Sequence, residues 1–272
     1  MKISTLLSTS PAKFDAVPFK GDFRENVAAI EAMGFDGIEL AIRDPRIIDQ
    51  DVVIETVKAA GMDIPAVGTG QAWGEERLSF TDPDREVREA AVERVYSHVP
   101  FAAKAGAVIV IGLVRGIVRP EVEQAQAEEW MLDCFTRCCR RAADAGVRIA
   151  FEPINRYETT LLNGVAAGLD FIREVGGDNL GMLLDTFHMN IEEPSIEESI
   201  RSAGDRIFHF HYADSNRWYP GAGHLDFVSI LQALKDTGYD GYLSGEHRPD
   251  PEPVEAARLG LENIRTILGE LK

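Results

Sequence analysis

Short apolar runs alternate with longer amphipathic stretches along the whole chain. The runs are KISTLL at 2–7, GIEL at 37–40, IPAVGT at 64–69, AVIVIG at 107–112, VRIAFE at 147–152, LGMLLD at 180–185, RIFHFH at 206–211 and GYLSGE at 241–246. Several are apolar almost throughout, as befits parallel strands covered on both faces. Between them the period lengthens to that of a helix. Over 84–105, Val87, Ala91, Val95 and Val99 recur at intervals of four and form one stripe. Gly34, Gly61, Gly106, Gly146 and Gly238 each stand before a strand, where a left-handed residue closes a helix. Eight such units in series, with no linker or low-complexity tract, predict one α/β domain over 1–272, a (β/α)8 TIM barrel. An open doubly wound sheet would show the same alternation. The unbroken rhythm, and the lack of a glycine-rich dinucleotide fingerprint after the first strand, favour the closed form.

In such a barrel, function collects at the C-terminal ends of the strands. The last four strands end on Glu152, Asp185, His211 and Glu246. A lone acid there is commonly the cap of the next helix. Four consecutive strands ending this way, with no Lys or Arg at those positions, place like charges together, and a cation is the usual remedy. Three carboxylates and one imidazole suit one divalent metal ion, and the ligand types permit Mn²⁺, Mg²⁺ or Co²⁺. Pro153 supports this register, because it disfavours a helical conformation at Glu152. His209 and His211 share a strand face. His211 reaches the rim, and His209 is expected in a layer within the barrel.

Charge narrows the partners. The chain carries 45 acidic and 28 basic residues, a formal net charge of −17. A field of that sign disfavours nucleic acid and anionic membrane surfaces. No apolar run is long enough to span a membrane, and the N-terminal MKISTLLSTSPAKF lacks the apolar stretch of a signal peptide. Cys134, Cys138 and Cys139 sit on one helical segment without complementary pairs at zinc spacing, so they read as reduced, buried thiols. A cytoplasmic enzyme acting on a small molecule is the expectation.

The segments FEPINRYET at 151–159, LLDTFHMNIEE at 183–193 and HFHYADSNRWYPGAGHLDF at 209–227 resemble the xylose-isomerase-like barrels and, within them, the metal-dependent ketose 3-epimerases. AIRDP at 41–45, VGTGQAW at 67–73 and VIGLVRG at 110–116 resemble the branch that acts on 5-keto-L-gluconate, a keto-uronate epimerase linked to inositol catabolism. The resemblance covers nearly the full length. It implies that Glu152, Asp185, His211 and Glu246 hold the metal, and that Glu152 and Glu246 are also the catalytic pair. It implies substrate contacts from Glu158, His188 and Arg217, and a homodimer or homotetramer. His247 and Arg248, after Glu246, are less typical of the group.

The reaction so implied inverts the carbon next to a ketone, C3 in ketose numbering. A proton leaves one face and another is returned to the opposite face, with two carboxyl groups exchanging roles as base and acid. The enediolate between them needs electrostatic stabilisation, which a divalent cation supplies as a Lewis acid. A keto-uronate substrate also brings a carboxylate, which calls for an arginine. Arg43, after the second strand, and Arg115, after the fourth, are the candidates.

Plainer accounts stand beside these. Arg217 could be a surface residue paired with one of the many acids, and His188 could cap the segment after Asp185. Trp73 and Trp218 could line a sugar pocket or serve the core. GAGH at 221–224 reads as a turn before a helix capped by Asp226, with no phosphate role. The same scaffold carries trimetal endonucleases, which the histidine count and the charge exclude here. It also carries hydroxypyruvate and aldose–ketose isomerases and inosose dehydratases, which loop residues alone would separate. A non-catalytic sugar-binding protein would not need both Glu152 and Glu246.

Overall fold

Each of the eight apolar runs is a strand in the computed structural model, which describes residues 1–271. The strands are β1 (Lys2–Ser8), β2 (Gly37–Ala41), β3 (Ala66–Gly68), β4 (Val108–Ile111), β5 (Ile149–Phe151), β6 (Leu180–Asp185), β7 (Ile207–Tyr212) and β8 (Tyr242–Gly245). All neighbours pair in parallel, and β8 returns to β1 to close the barrel. The closed (β/α)8 form expected from the alternation is therefore the fold.

The main crossover helices are α1 (Phe23–Met33), α2 (Gln50–Ala59), α4 (Arg85–Ala105), α5 (Gln124–Ala143), α6 (Val165–Val175), α8 (Ile196–Ala203), α9 (Phe227–Asp236) and α10 (Pro253–Glu270). In α4 the stripe turns Ala91, Val95 and Val99 inward to full burial. The helix is closed at both ends by the expected devices. Asp84 accepts a hydrogen bond from the Glu86 N–H, and Gly106, at φ 78°, donates to the Ala102 carbonyl. Cys134, Cys138 and Cys139 are free and buried on α5. Two short helices break the simple alternation at the C-terminal rim. They are α3 (Gly70–Glu76), just after β3, and α7 (Thr186–Glu192), directly after β6.

Most of the core lies between strands and helices. Inside the barrel the composition is divided. Ala66, Val108, Val110, Ala150 and Leu183 form a small apolar cluster on the β3–β6 side. Alternation turns Ser4, Glu39, His209, His211 and Ser244 inward from β1, β2, β7 and β8, and all five are buried. The polar half of the interior leads up to the site. Among the described residues no helix is long and apolar enough to cross a membrane.

Candidate active site

Strand register brings the four strand-end residues together. Asp185 closes β6, His211 lies near the end of β7, and Glu152 and Glu246 each follow the last residue of β5 and β8. One ligand atom from each lies within 4.8 Å of the other three. His211 Nδ1 is 3.9 Å from Asp185 Oδ2 and 3.8 Å from Glu246 Oε2. Capping explains only half of Asp185. One carboxylate oxygen accepts from the Phe187 N–H at 2.7 Å and starts α7, while Oδ2 faces the cluster.

Glu152 Oε1, Asp185 Oδ2 and His211 Nδ1 are buried without a hydrogen-bond partner. Leaving buried polar atoms unsatisfied is costly, and here three such atoms converge from three strands. With Glu246 they make an O,O,O,N donor set that fits a divalent ion. The crowding is visible in proton affinities. Burial and the neighbouring Glu246 push Glu152 well above the carboxylate range, and the same causes raise Asp185 to about 7. Burial also acts to raise Glu246, but His211 and Arg217 outweigh it and hold this group at about 2.

Glu152, His211 and Glu246 of the cluster floor a cavity of about 160 Å³ whose walls include Leu6, Phe14, Trp73, Leu113 and Ile154. Glu158, His188 and Arg217 all line it. His188 is carried in by α7. Its Nδ1 accepts from the Asn155 side-chain amide at 2.8 Å, since the amide oxygen already accepts from the Tyr157 N–H. The ring proton therefore sits on Nε2, 3.6 Å from Glu152 Oε1. Burial and Arg217 keep the imidazole neutral, lowering it to about 3.

Arg217 is not a surface residue. Its guanidinium donates to Glu246 Oε2 at 2.9 Å and lies 3.6 Å from Glu158 Oε1. It is sandwiched between Phe14 and Phe187, with ring centroids 4.9 and 4.7 Å away. The backbone is left-handed there, at φ 62°, and the Arg217 carbonyl accepts from the Arg248 N–H at 2.8 Å. That contact ties the unusual segment after β8 to the site. Asn155, Phe14 and Phe187 were not singled out by the sequence. Asn155 had a signal, since it lies within FEPINRYET three residues before Glu158. Trp73 lines the cavity, whereas Trp218 is exposed and does not. Asp226 caps α9 as expected.

The two arginines assigned to a substrate carboxylate do not reach the cavity. Arg115 is completely buried. A tight turn over Leu113–Arg115 directs its side chain beneath the end of β5. There the guanidinium donates to the carbonyls of Glu152 and Leu161, so Arg115 anchors the backbone that carries Glu152. Gly116, at φ 105°, permits this turn, and a Cβ there would stand 2.0 Å from Thr81 Oγ1. Arg43 points away toward Glu76, with Nε 3.6 Å from Glu76 Oε1. Arg115→Met is expected to cost about 3 kcal/mol of stability by leaving two carbonyls without donors. Denaturant unfolding measures it, and no loss would mean that water replaces the guanidinium.

Residues 27–267 match the xylose isomerase-like TIM barrel family. The chain is 31% identical over 229 residues to the L-ribulose 3-epimerase of Mesorhizobium japonicum, covering 84% of this chain and 76% of that protein. It is 29% identical over 260 residues to the 3-dehydro-D-guloside 4-epimerase of Escherichia coli, covering 91% and 96%. A crystal structure of D-psicose 3-epimerase in the presence of D-fructose superposes with a TM-score of 0.84 at 25% identity, over 99% of this chain and 100% of that one.

Proposed function

We propose, because the chain belongs to the xylose isomerase-like TIM barrel family and within it to the ketose 3-epimerases, that it inverts the carbon beside the ketone of a monosaccharide-sized keto-sugar, using Glu152 and Glu246 as the proton-transfer pair. The observation that carries this reading is the convergence of both carboxyl groups on the floor of one cavity, in a cluster that holds three partnerless buried ligand atoms.

Glu152, Asp185, His211 and Glu246 would hold one divalent ion, Mn²⁺ first among the candidates, and that ion would supply Lewis-acid polarisation of the ketone. The protein's own groups do the rest. One of the two glutamates takes the proton from the carbon beside the ketone, and the other returns a proton to the opposite face. The reverse reaction exchanges their roles. The His188 Nε2–H is placed to donate to a substrate oxygen, and the Arg217 cation offsets the negative charge that develops there. Glu158, steadied by Asn155 at 3.0 Å, accepts from a hydroxyl of the sugar.

The test is incubation of the protein with Mn²⁺ in D2O and L-ribulose, D-psicose or 5-keto-L-gluconate, followed by proton NMR. Loss of the signal beside the ketone with growth of the epimer is expected. No exchange with any of them, metal being bound, would transfer the function to an isomerase or dehydratase.

Within this class the motifs at 41–45, 67–73 and 110–116 favour the keto-uronate, 5-keto-L-gluconate. With Arg43 and Arg115 elsewhere, the remaining cavity-lining cation besides Arg217 among the described residues is Lys13. Its Nζ lies 2.8 Å from Glu75 Oε2 and is largely exposed. Lys13→Ala is expected to raise KM for the keto-uronate by about tenfold, the loss of roughly 1.4 kcal/mol, and to leave neutral ketoses within about twofold. Equal effects on both would remove the carboxylate from that end of the cavity.

A further inference from the structure

We infer that Glu39 and His209 form a positioning pair for His211. The Glu39 carboxylate keeps a proton on His211 Nε2 and so turns the Nδ1 lone pair toward Glu152, Asp185 and Glu246. This rests on the metal-site reading above and adds two residues outside the four-residue cluster, of which Glu39 also lines the cavity. Glu39 stands in the middle of β2, 2% exposed, inside the barrel. Its Oε2 accepts from both imidazoles, from His209 Nε2 at 2.7 Å and from His211 Nε2 at 2.9 Å. An ionised carboxylate can only accept, so each ring must carry a proton on Nε2. In His211 this assigns Nδ1, the atom without a partner, to the cluster side.

His209 lies two residues deeper on the same face of β7, its ring 5.4 Å from that of His211 and at 79° to it. It does not belong to the four-residue cluster. Its contribution is to hold Oε2 in place, so that Glu39 cannot rotate away from His211. Glu39, His209 and His211 could also be grouped as a cation site of their own. The distances argue otherwise, because both are those of direct hydrogen bonds. The ligand atoms without partners, Glu152 Oε1, Asp185 Oδ2 and His211 Nδ1, belong to the other group.

Packing alone gives no reason for this arrangement. Elsewhere in the interior the same kind of position is filled by Ala66, Val108, Val110, Ala150 and Leu183. A buried ionic triad replaced as a whole by apolar residues of similar volume commonly loses no stability. What an apolar residue cannot do is orient an imidazole. Carboxylates behind metal-ligating histidines act in this way and typically change affinity by about 10–100-fold.

Two variants separate acceptor from charge. Glu39→Gln keeps an oxygen facing the rings but loses the charge, whereas Glu39→Leu loses both. Titration calorimetry of the metal-free proteins with Mn²⁺ should give a Kd weakened by about tenfold for the first and about 100-fold for the second. The metal-free Leu variant should melt lower, because two buried imidazole N–H groups lose their acceptor, so the readout that a merely structural role would not move is the tautomer of His211. Nitrogen-15 histidine spectra of metal-free and Mg²⁺-loaded protein should show a protected His211 Nε2–H that disappears in Glu39→Leu. If that variant does not fold, His209→Asn should still weaken Mn²⁺ binding, by less than the tenfold of Glu39→Gln. A Kd within twofold of wild type in Glu39→Leu, or a wild-type His211 bound through Nε2, would overturn the inference. A wild-type protein that binds no Mn²⁺ would instead defeat the metal reading, and the Nε2–H signal of the metal-free protein would still decide the role of Glu39.

Discussion

Glu246→Gln should lower kcat for epimerisation by about 10²–10⁴-fold, the usual contribution of a positioned proton-transfer group, which corresponds to roughly 3–5 kcal/mol of barrier. The substitution keeps size and one oxygen donor but removes the basic site. Because Glu246 also belongs to the metal cluster and accepts from Arg217 at 2.9 Å, metal content has to be measured alongside. The two-carboxylate mechanism makes a sharper demand than a loss of rate. Each glutamate faces one epimer's proton, so removing one should abolish inversion yet leave the other able to exchange its own face with solvent. In D2O, Glu246→Gln should wash deuterium into one epimer without interconverting the pair, and Glu152→Gln should do so with the other. Full epimerisation by Glu246→Gln with metal bound would end the mechanism. Exchange of the same epimer by both variants would mean a single base with a mobile substrate.

The residues most legible in the sequence were those whose role follows from strand position. An apolar run ending in an acid or an imidazole fixes both a strand and the rim residue, and so Glu152, Asp185, His211 and Glu246 are legible from the sequence. Glu39 has the same chemistry and went unread. It lies in the middle of GIEL, where only the closure of the barrel shows that its face meets His209 and His211 from β7. Arg115 and Arg43 were misread for the opposite reason. Their loops were placed correctly, but a loop position does not say whether a long side chain enters the mouth or folds under it. For Arg115 the Leu113–Arg115 turn and the two carbonyls beneath β5 decided. For Arg43 it was the acidic partner on α3. The short helices α3 and α7 were likewise hidden, being too brief for a periodic stripe, and they deliver Trp73 and His188 to the cavity.

Removing the divalent metal should lower the melting temperature, and the size of the drop should depend on pH in a direction set by the cluster itself. At a thousandfold excess over Kd a single site adds about 4 kcal/mol. At about 2–4 °C per kcal/mol for a chain of this size class, that is on the order of 10 °C. Without metal, Glu152 is held well above its ordinary range and Asp185 near 7. Burial acts to lower His211, but Glu39 and Glu246 outweigh it and hold this group well above its ordinary value. A carboxyl whose folded pKa is raised binds a proton that the unfolded chain has released. Such a group costs stability as pH climbs from the unfolded value, about 4, through the folded one. Metal binding displaces those protons, so affinity must rise with pH. The metal-free melting temperature alone would mislead. His98, His188 and His247 are buried with lowered pKa values, chiefly by desolvation, and they add stability as pH rises through the unfolded histidine value. For His98, whose shift involves none of the cluster residues, the effect is common to both forms and cancels in the difference. The gap between Mn²⁺-loaded and chelator-treated protein should therefore be wider at pH 8 than at pH 6, with protons released to the buffer in calorimetry. An equal gap at both pH values would mean that the ion does not sit on Asp185 and His211. No gap at all would leave the three partnerless atoms of the cluster without their explanation.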